Sequence, residues 1–181
     1  MLQLVVELLP ERWDEEKEEF VEAKTTTLQL EHSLVSLSKW ESKWCKPFIT
    51  SKEKTIEETI DYIKCMTVTQ NVNPEVYSKL SKKNIEEIYR YIEAPMTATT
   101  FSKENNSKAN REITTSELIY YWMFSLNIPL ECQKWHLNRL LTLIRVFNVK
   151  NQPPKKMSKR QTTSNYAALN AARRKQYNTR G

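Results

Sequence analysis

The stretch ITTSELIYYWMFSLNIPLECQKWHLNRLLTLIRVFNV, residues 113–149, decides the fold, because its apolar residues recur with the spacing of two successive helices. Thr114 and Glu117 have the spacing of a capping box at a helix start. The Asn-Ile-Pro sequence at 127–129 interrupts the pattern, since proline suits the first turn of a helix but not its interior. The apolar stripes on either side of this break are Ile119, Trp122, Met123 and Leu126, then Leu137, Leu140, Leu141 and Ile144. We therefore predict a helical hairpin at the centre of the core.

Further helices are predicted upstream of the hairpin, at residues 30–44, 55–66 and 81–93, with a short one at 74–80. Each of the longer helices carries an apolar stripe along one face. The stripes are Leu37, Trp40 and Trp44; Ile56, Ile60 and Ile63; and Ile85, Ile88, Tyr89 and Ile92. We interpret the two tryptophans as core residues, with the alternative that an exposed tryptophan anchors an interface.

A small β element is predicted at the N-terminus. Residues 2–8 are predicted to form a strand from their length and the β-branched Val5 and Val6, and Pro10 ends this segment. A returning strand is predicted to begin at Phe20, and residues 26–30 alternate polar and apolar, as in a third short strand. The acidic segment 14–19 is interpreted as a solvated turn rather than a metal or catalytic site, because nothing apolar surrounds it to shift a pKa.

The predicted fold class is mainly α, of the α+β type, with a helical domain of about five helices. We expect a β element at 1–30 packed on this domain, the helical core domain at 31–149, and a basic tail at 150–181. The tail is expected to be partly disordered or to become helical on a partner. Residues 102–111 are polar and without period, which predicts a solvent loop.

Glycine is nearly absent, since the one glycine among 181 residues is Gly181. Backbone turns that approach a phosphate closely use glycine, so the P-loop, the dinucleotide-binding fingerprint and the Gly-x-Ser-x-Gly elbow are excluded. The three cysteines, Cys45, Cys65 and Cys132, are dispersed and are expected to be reduced structural thiols. No signal peptide is visible, and no apolar run reaches the ~20 residues of a membrane-spanning helix. We expect a soluble intracellular protein.

Histidine is also scarce, with only His32 and His136 in the chain. Neither has a second histidine or a carboxylate four residues further on, the spacing of a metal-binding helix. No serine, cysteine or threonine has a recognisable base partner in the sequence. The expectation is a protein without enzymatic activity and without metal or cofactor.

The C-terminal segment is strongly basic. Residues 150–181 carry nine Lys or Arg and no Asp or Glu, whereas residues 1–149 carry 19 basic and 22 acidic residues, a net charge of −3. Charge alone leaves three alternatives open: nucleic-acid binding, docking on an acidic protein partner, and solubility. The candidate partner-binding residues, which include two tyrosines able to stack on bases, are Lys155, Lys156, Lys159, Arg160, Tyr166, Arg173, Arg174, Lys175, Tyr177 and Arg180. A second candidate surface is the hairpin flank formed by Lys134, Asn138 and Arg145.

Three blocks of this chain resemble a group of small proteins of tailed bacteriophages that are described as tail assembly chaperones. The blocks are LEHSLVSLSKWESKW at 30–44, ELIYYWMFSLNIPLECQKWHLNRLLTLIRV at 117–146 and ALNAARRKQYNTRG at 168–181. Such chaperones bind the long helical tape measure protein, hold it soluble and help to recruit tail tube subunits. The resemblance therefore implies a non-enzymatic helical protein of the host cell cytoplasm, with the tape measure protein and the tail tube protein as partners.

The alternative within the same setting is a virion or connector protein of the phage that binds DNA through its basic C-terminal tail. Both hypotheses allow a homo-oligomer, and neither needs a membrane. A helical domain offers a groove for an amphipathic helix, and a basic tail would contact acidic stretches of such a partner. The sequence thus predicts binding to a macromolecule, with protein and nucleic acid both open as the partner.

Overall fold

An N-terminal β-hairpin leads into a series of helices in the computed structural model, which describes residues 1–14, 19–51, 53–101, 113–151 and 159–179, without the side chains of Arg12, Asp14, Glu19 and Val21. The strands are β1 (Leu2–Leu9), β2 (Arg12–Asp14), β3 (Glu19–Val21) and β4 (Lys24–Leu30). The helices are α1 (Leu34–Trp44), α2 (Ile56–Met66), α3 (Lys82–Glu93), α4 (Ser116–Ser125), α5 (Leu137–Asn151) and α6 (Lys159–Tyr177), with 3-10 helices at Pro74–Lys79 and Leu130–Lys134. The predicted fold class, mainly helical with a small N-terminal sheet, is confirmed.

The β element is more regular than predicted. Strands β1 and β4 pair antiparallel from Leu2 opposite Leu30, and β2 pairs with β3 as a separate two-stranded sheet. Alternation places Leu4 and Val6 on the buried face of β1. The sequence missed β2: it placed Asp14 in a charged turn, whereas this residue ends a strand. The rest of that predicted turn, residues 15–18, lies outside the described residues, as does the predicted loop at 102–111.

The core consists of two hydrophobic clusters, and α1 contributes to both. The predicted hairpin of α4 and α5 supplies most of one cluster, through residues such as Ile119, Met123 and Leu140, together with Leu37 of α1. The other cluster joins the sheet to α2 and α3 around Trp40 of α1. Trp40 and Leu37 are fully buried. The hairpin therefore forms only part of the core, and α1 connects that part to the rest.

Side chains cap the helix starts. Ser33, Thr55 and Ser81 each form a capping box at the start of α1, α2 and α3. The cap of α4 is Thr115, whose hydroxyl accepts a hydrogen bond from the Leu118 amide at 3.4 Å. The prediction of Thr114 as this cap was therefore wrong by one residue.

Left-handed backbone occurs at several positions although the chain has almost no glycine. The described non-glycine residues with positive φ are Cys45, Asn71, Met96, Asn127 and Asn178. Three of these are asparagine, the residue that tolerates this conformation best after glycine. Asn127 follows Leu126, the C-terminal cap of α4, and produces the break that the sequence predicted before Pro129.

The chain divides into two compact units, Met1–Phe147 and Asn148–Gly181. In the second unit, α6 is a 19-residue helix in which no residue is buried. Across the described segments, every helix is too short or too polar to cross a bilayer.

Candidate partner-binding site

An open apolar groove lies between α2 and α3 in the first unit. Two adjoining cavities, with volumes of about 210 Å³ and 380 Å³, share the lining residues Lys54, Thr59, Ile85 and Tyr89. The floor is apolar and is formed from both helices by side chains that include Ile60, Ile63, Ile85, Ile88 and Ile92. A groove of this kind, between two helices, accepts the apolar face of a further helix.

The predicted apolar stripe of α3 explains why the groove is open. Ile88 is buried, with 2% of its surface exposed, but Ile85 and Ile92 are only partly buried and Tyr89 is 48% exposed. The stripe exists as predicted, yet α2 covers only part of its width. Ile56, at the first position of α2, belongs to the predicted apolar stripe of that helix but is 80% exposed at the groove rim.

One cation stands at the groove wall. The ammonium of Lys54 lies 4.2 Å from the centroid of the Phe48 ring and donates to the Ser51 carbonyl at 2.8 Å. Burial lowers the pKa of Lys54, and the nearby carboxylate of Glu58 opposes this shift. Lys54 and Glu93 both line the groove. A bound helix that places an acidic residue near Lys54 and a basic residue near Glu93 is therefore favoured in one direction over the reverse.

Two ion pairs between exposed lysines and buried carboxylates hold α2, which forms one side of the groove, against α1 and the residues that follow it. Lys46 contacts Glu58 at 2.5 Å, and its hydrogen bond lowers the pKa of the Glu58 carboxyl. Lys43 pairs with Asp61, which also accepts a hydrogen bond from the Trp44 indole at 3.0 Å. Burial raises the pKa of Asp61, but these two donors outweigh burial and the pKa is lowered. Glu58 and Asp61 therefore fix the position of α2 relative to α1.

The basic tail provides a second candidate surface. Lys159 and Arg160 lie in the first turn of α6, and Arg173, Arg174 and Lys175 lie near its end, about 20 Å away along the axis. Cations at a helix start oppose the helix dipole, so helix stability does not account for the first pair. Tyr166 and Tyr177 are 63% and 69% exposed. Lys155, Lys156 and Arg180 lie outside the described residues.

The three residues of the predicted hairpin flank have different surroundings. Lys134 is exposed, and the Arg145 guanidinium lies 4.1 Å from the centroid of the Phe101 ring. Asn138 has a structural role, because its amide donates to the carbonyls of Ile92 at 3.0 Å and Ala94 at 2.9 Å and so caps the end of α3. Asn138 is only partly exposed, and its role as a contact residue stays a prediction.

Sequence reasoning missed a buried histidine pair. The rings of His32 and His136 lie 5.1 Å apart, although the residues are 104 positions apart in the chain. Nδ1 of His32 is 2.5 Å from the Tyr62 hydroxyl, and Nε2 of His136 is 3.0 Å from the Tyr91 carbonyl oxygen. Sequence spacing carries no sign of this pair, because tertiary packing alone brings the two rings together.

The environment keeps both rings neutral. Burial, assisted by His136, lowers the pKa of His32 to about 3, and burial also lowers the pKa of His136. A neutral His136 satisfies both ring nitrogens, since Nε2–H donates to Tyr91 and Nδ1 accepts from the Asn138 amide at 3.3 Å. Burial likewise raises the pKa of the Tyr62 phenol. The two histidines, which follow β4 and precede α5, are thereby joined to Tyr62 of α2 and Tyr91 of α3. No group of three or more metal-ligating side chains occurs among the described residues.

Comparisons with known proteins add no relative. A scan against protein-family models, a search of curated proteins and a search of solved structures each found no match to this chain.

Proposed function

We propose that this protein is a non-enzymatic tail assembly chaperone of a tailed bacteriophage, acting without cofactor in the cytoplasm of the infected cell. It binds the helical tape measure protein and supports tail tube assembly. The observation that carries this proposal is the open groove between α2 and α3, whose apolar lining suits the apolar face of an amphipathic helix. The resemblance of three sequence blocks to phage assembly proteins supports the same function.

The physical task fits these features. A tape measure protein exposes long apolar helix faces before assembly, and such faces aggregate unless they are covered. The groove covers one apolar face, while the cations of α6 attract acidic stretches that flank it. The first contact supplies most of the affinity and the second accelerates encounter, because exposed charges change association rates more than they change affinity.

Replacing Ile56 and Tyr89 together with glutamate is expected to weaken co-purification with the tape measure protein. Both side chains lie at the groove rim and are 80% and 48% exposed, so the fold should tolerate the change. Burying an unpaired carboxylate costs more than about 1.4 kcal/mol, which corresponds to at least about tenfold weaker binding. Co-expression of the two full-length proteins, pull-down and quantitation of the complex measure the effect.

A matched control is Phe124→Glu, which places the same charge on an exposed aromatic of α4 and should leave co-purification unchanged. Neutralising Arg173, Arg174 and Lys175 with glutamine should reduce the salt dependence of the complex while leaving the groove intact. Wild-type recovery of the Ile56/Tyr89 variant would contradict the groove as the binding site.

A second function has its own supporting observation. Residues 150–181 carry nine basic and no acidic residues, and Tyr166 and Tyr177 are exposed on α6, a combination that suits DNA binding by a virion or connector protein. Under this alternative the protein remains in the particle, whereas a chaperone is released.

We expect the protein to be missing from purified virions, because a chaperone leaves once the tail tube has polymerised. Quantitative mass spectrometry of gradient-purified particles, with the tube protein as the internal standard, measures this. Detection at several copies for each virion, together with salt-dependent DNA binding by the full chain, would favour the connector function instead.

A further inference from the structure

Two outer edges flank the sheet of β1 and β4, and the ladder register decides which backbone groups reach them. Gln29 of β4 uses both of its backbone groups at the outer edge. Its amide donates to the Thr69 hydroxyl and its carbonyl accepts from the Val68 amide, each at 2.8 Å. Successive residues of an antiparallel strand turn their N–H and C=O groups to opposite sides. The backbone groups of Thr25 and Thr27 therefore point to the same outer edge as those of Gln29.

Parts of both edges are covered within the chain, but one stretch is open. On the β1 side, the side-chain amide of Asn84 in α3 donates to the Val5 carbonyl at 3.0 Å. On the β4 side, the segment 66–69 covers the edge near the end of the strand. Among the described residues, none forms a hydrogen bond with the outward N–H and C=O groups of Thr25 and Thr27, and both threonines are exposed. An edge with free backbone groups is a template for pairing with another strand.

The open stretch lacks the features that protect an exposed edge. Proteins prevent edge pairing with proline, with a charge in the strand, or with a bulge. Residues 25–27 are three consecutive threonines, and the irregularity in the ladder lies between Glu7 and Leu9 of β1 rather than in β4. Threonine is β-branched and favours the extended backbone of a strand. The stretch is therefore a regular strand edge that is ready to accept a partner.

We propose that β4 of one copy pairs antiparallel with β4 of a second copy of this chain, about a twofold axis at Thr26. Thr25 then faces Thr27 of the second copy, and the two residues exchange both of their backbone hydrogen bonds. The axis repeats this pair, so the contact is isologous and joins the two-stranded sheets of both copies into one continuous sheet. This dimer goes beyond the proposed function, because it concerns the sheet edge of the free protein and not the groove.

The limits of the open edge match the limits of the strand that would pair with it. In the register around Thr26, the covered Gln29 would face Ala23 of the second copy. Ala23 lies between β3 and β4, outside both strands. The second chain therefore leaves the ladder at the point where Val68 occupies the edge. The pairing spans residues 24–28 in both copies, and this fit selects a second copy as the occupant.

Preorganisation and charge also favour a second copy over a flexible peptide. In each copy β1 already holds β4 extended, so neither strand pays the backbone ordering entropy that a flexible peptide pays. Lys24 is the one charged residue of β4 and faces Leu28 of the second copy, so like charges do not meet. Thr25 and Thr27 form cross-strand pairs of small β-branched side chains, which stabilise a sheet.

Sedimentation velocity of the purified full-length chain tests the proposal without any partner protein, so its outcome is independent of tape measure binding. The wild type should change from monomer to dimer as the concentration rises. Thr27→Pro removes an amide that points outward, so the bonds between β4 and β1 remain. It should weaken dimerisation by at least about tenfold, because each dimer loses two hydrogen bonds. The matched control is Gln3→Pro, which removes an outward amide on the opposite edge of the sheet and should dimerise like the wild type.

A charge exchange tests the register with side chains that are exposed in the single chain. Thr25→Lys/Thr27→Lys places like charges opposite each other in the dimer, and Thr25→Glu/Thr27→Glu does the same with the other sign. Each variant alone should dimerise more weakly than the wild type, whereas mixing the two should give a one-to-one heterodimer. Far-UV circular dichroism checks the fold of every variant, and the charge variants decide the outcome if Thr27→Pro is unfolded.

A cysteine at the axis reports the same register covalently. Thr26 faces Thr26 of the second copy as a non-hydrogen-bonded pair with Cα atoms about 4.5 Å apart, a distance that a disulfide spans. Thr26→Cys should therefore form a covalent dimer under mild oxidation, whereas Gln3→Cys and the wild type should not. A chain that stays monomeric at every concentration overturns the proposal. Equal loss of dimer in Gln3→Pro, or no heterodimer on mixing the charge variants, overturns it as well.

Discussion

Replacing Trp40 with alanine is expected to lower the free energy of unfolding by about 3–5 kcal/mol. Trp40 has 0% of its surface exposed, and its ring packs against Phe48 with centroids 5.0 Å apart and against Trp44 at 6.2 Å. Its indole N–H also donates to the Glu58 carbonyl at 2.9 Å, which ties α1 to the first turn of α2. Because domains of this size are stable by about 5–15 kcal/mol, the loss is a large fraction of the total.

Urea unfolding followed by far-UV circular dichroism measures this change. Trp40→Phe keeps an aromatic ring and should cost less than the alanine variant, since it loses volume and one hydrogen bond but leaves a smaller cavity. Phe124→Ala, on the exposed face of α4, should change stability by no more than about 0.5 kcal/mol. A Trp40→Ala variant within about 1 kcal/mol of the wild type would contradict the role of α1 as the helix shared by both core clusters.

The helices could be predicted because their causes are local. Apolar residues at helical spacing, and Pro47 and Pro95 downstream of α1 and α3, predicted helix positions to within a few residues. Cap assignment at α4 failed because Thr114 and Thr115 are adjacent and both can accept an amide hydrogen bond, so tertiary geometry decides between them. The strand β2 was missed because a charge-rich segment with one tryptophan forms a strand only through its partner, β3.

The candidate groove exists because α2 covers only part of the apolar stripe of α3, and no local sequence pattern encodes how much of a stripe a neighbouring helix covers. An apolar face of α3 was predicted from the stripe Ile85, Ile88, Tyr89 and Ile92. The spacing of these residues does not determine how much of that face a neighbouring helix covers. Here α2 leaves Tyr89 and Ile56 open to solvent. The buried histidine pair is the opposite case, in which residues without any local pattern meet because the segment after β4 pairs with the segment before α5 through the Ser33–His136 bridge. The positive charge of the tail, by contrast, is visible from sequence alone.

Lowering the pH from 7 to 5 is expected to reduce the free energy of unfolding by about 2 kcal/mol through His32 alone. The folded protein holds the pKa of His32 at about 3, whereas an unfolded histidine titrates near 6.5. The unfolded state therefore binds the proton first, and stability that is fully present above the unfolded pKa falls as the pH drops, by up to about 1.4 kcal/mol for each pH unit. The lowered pKa of His136 adds to this loss in the same direction.

The interval from pH 7 to 5 isolates the histidines from the carboxylates. Glu58 and Asp61 also have lowered pKa values, but their stabilisation is lost only as the pH falls from the ordinary carboxyl pKa of an unfolded chain, about 4, through the lowered values of the folded protein. Urea unfolding at several pH values measures the slope. His32→Asn keeps an acceptor for the Tyr62 hydroxyl without a titrating group, so its slope should be shallower than that of the wild type. An unchanged slope in this variant, or a flat wild-type profile between pH 7 and 5, would show that His32 is not held neutral by burial, because a neutral buried imidazole must charge on unfolding in this range.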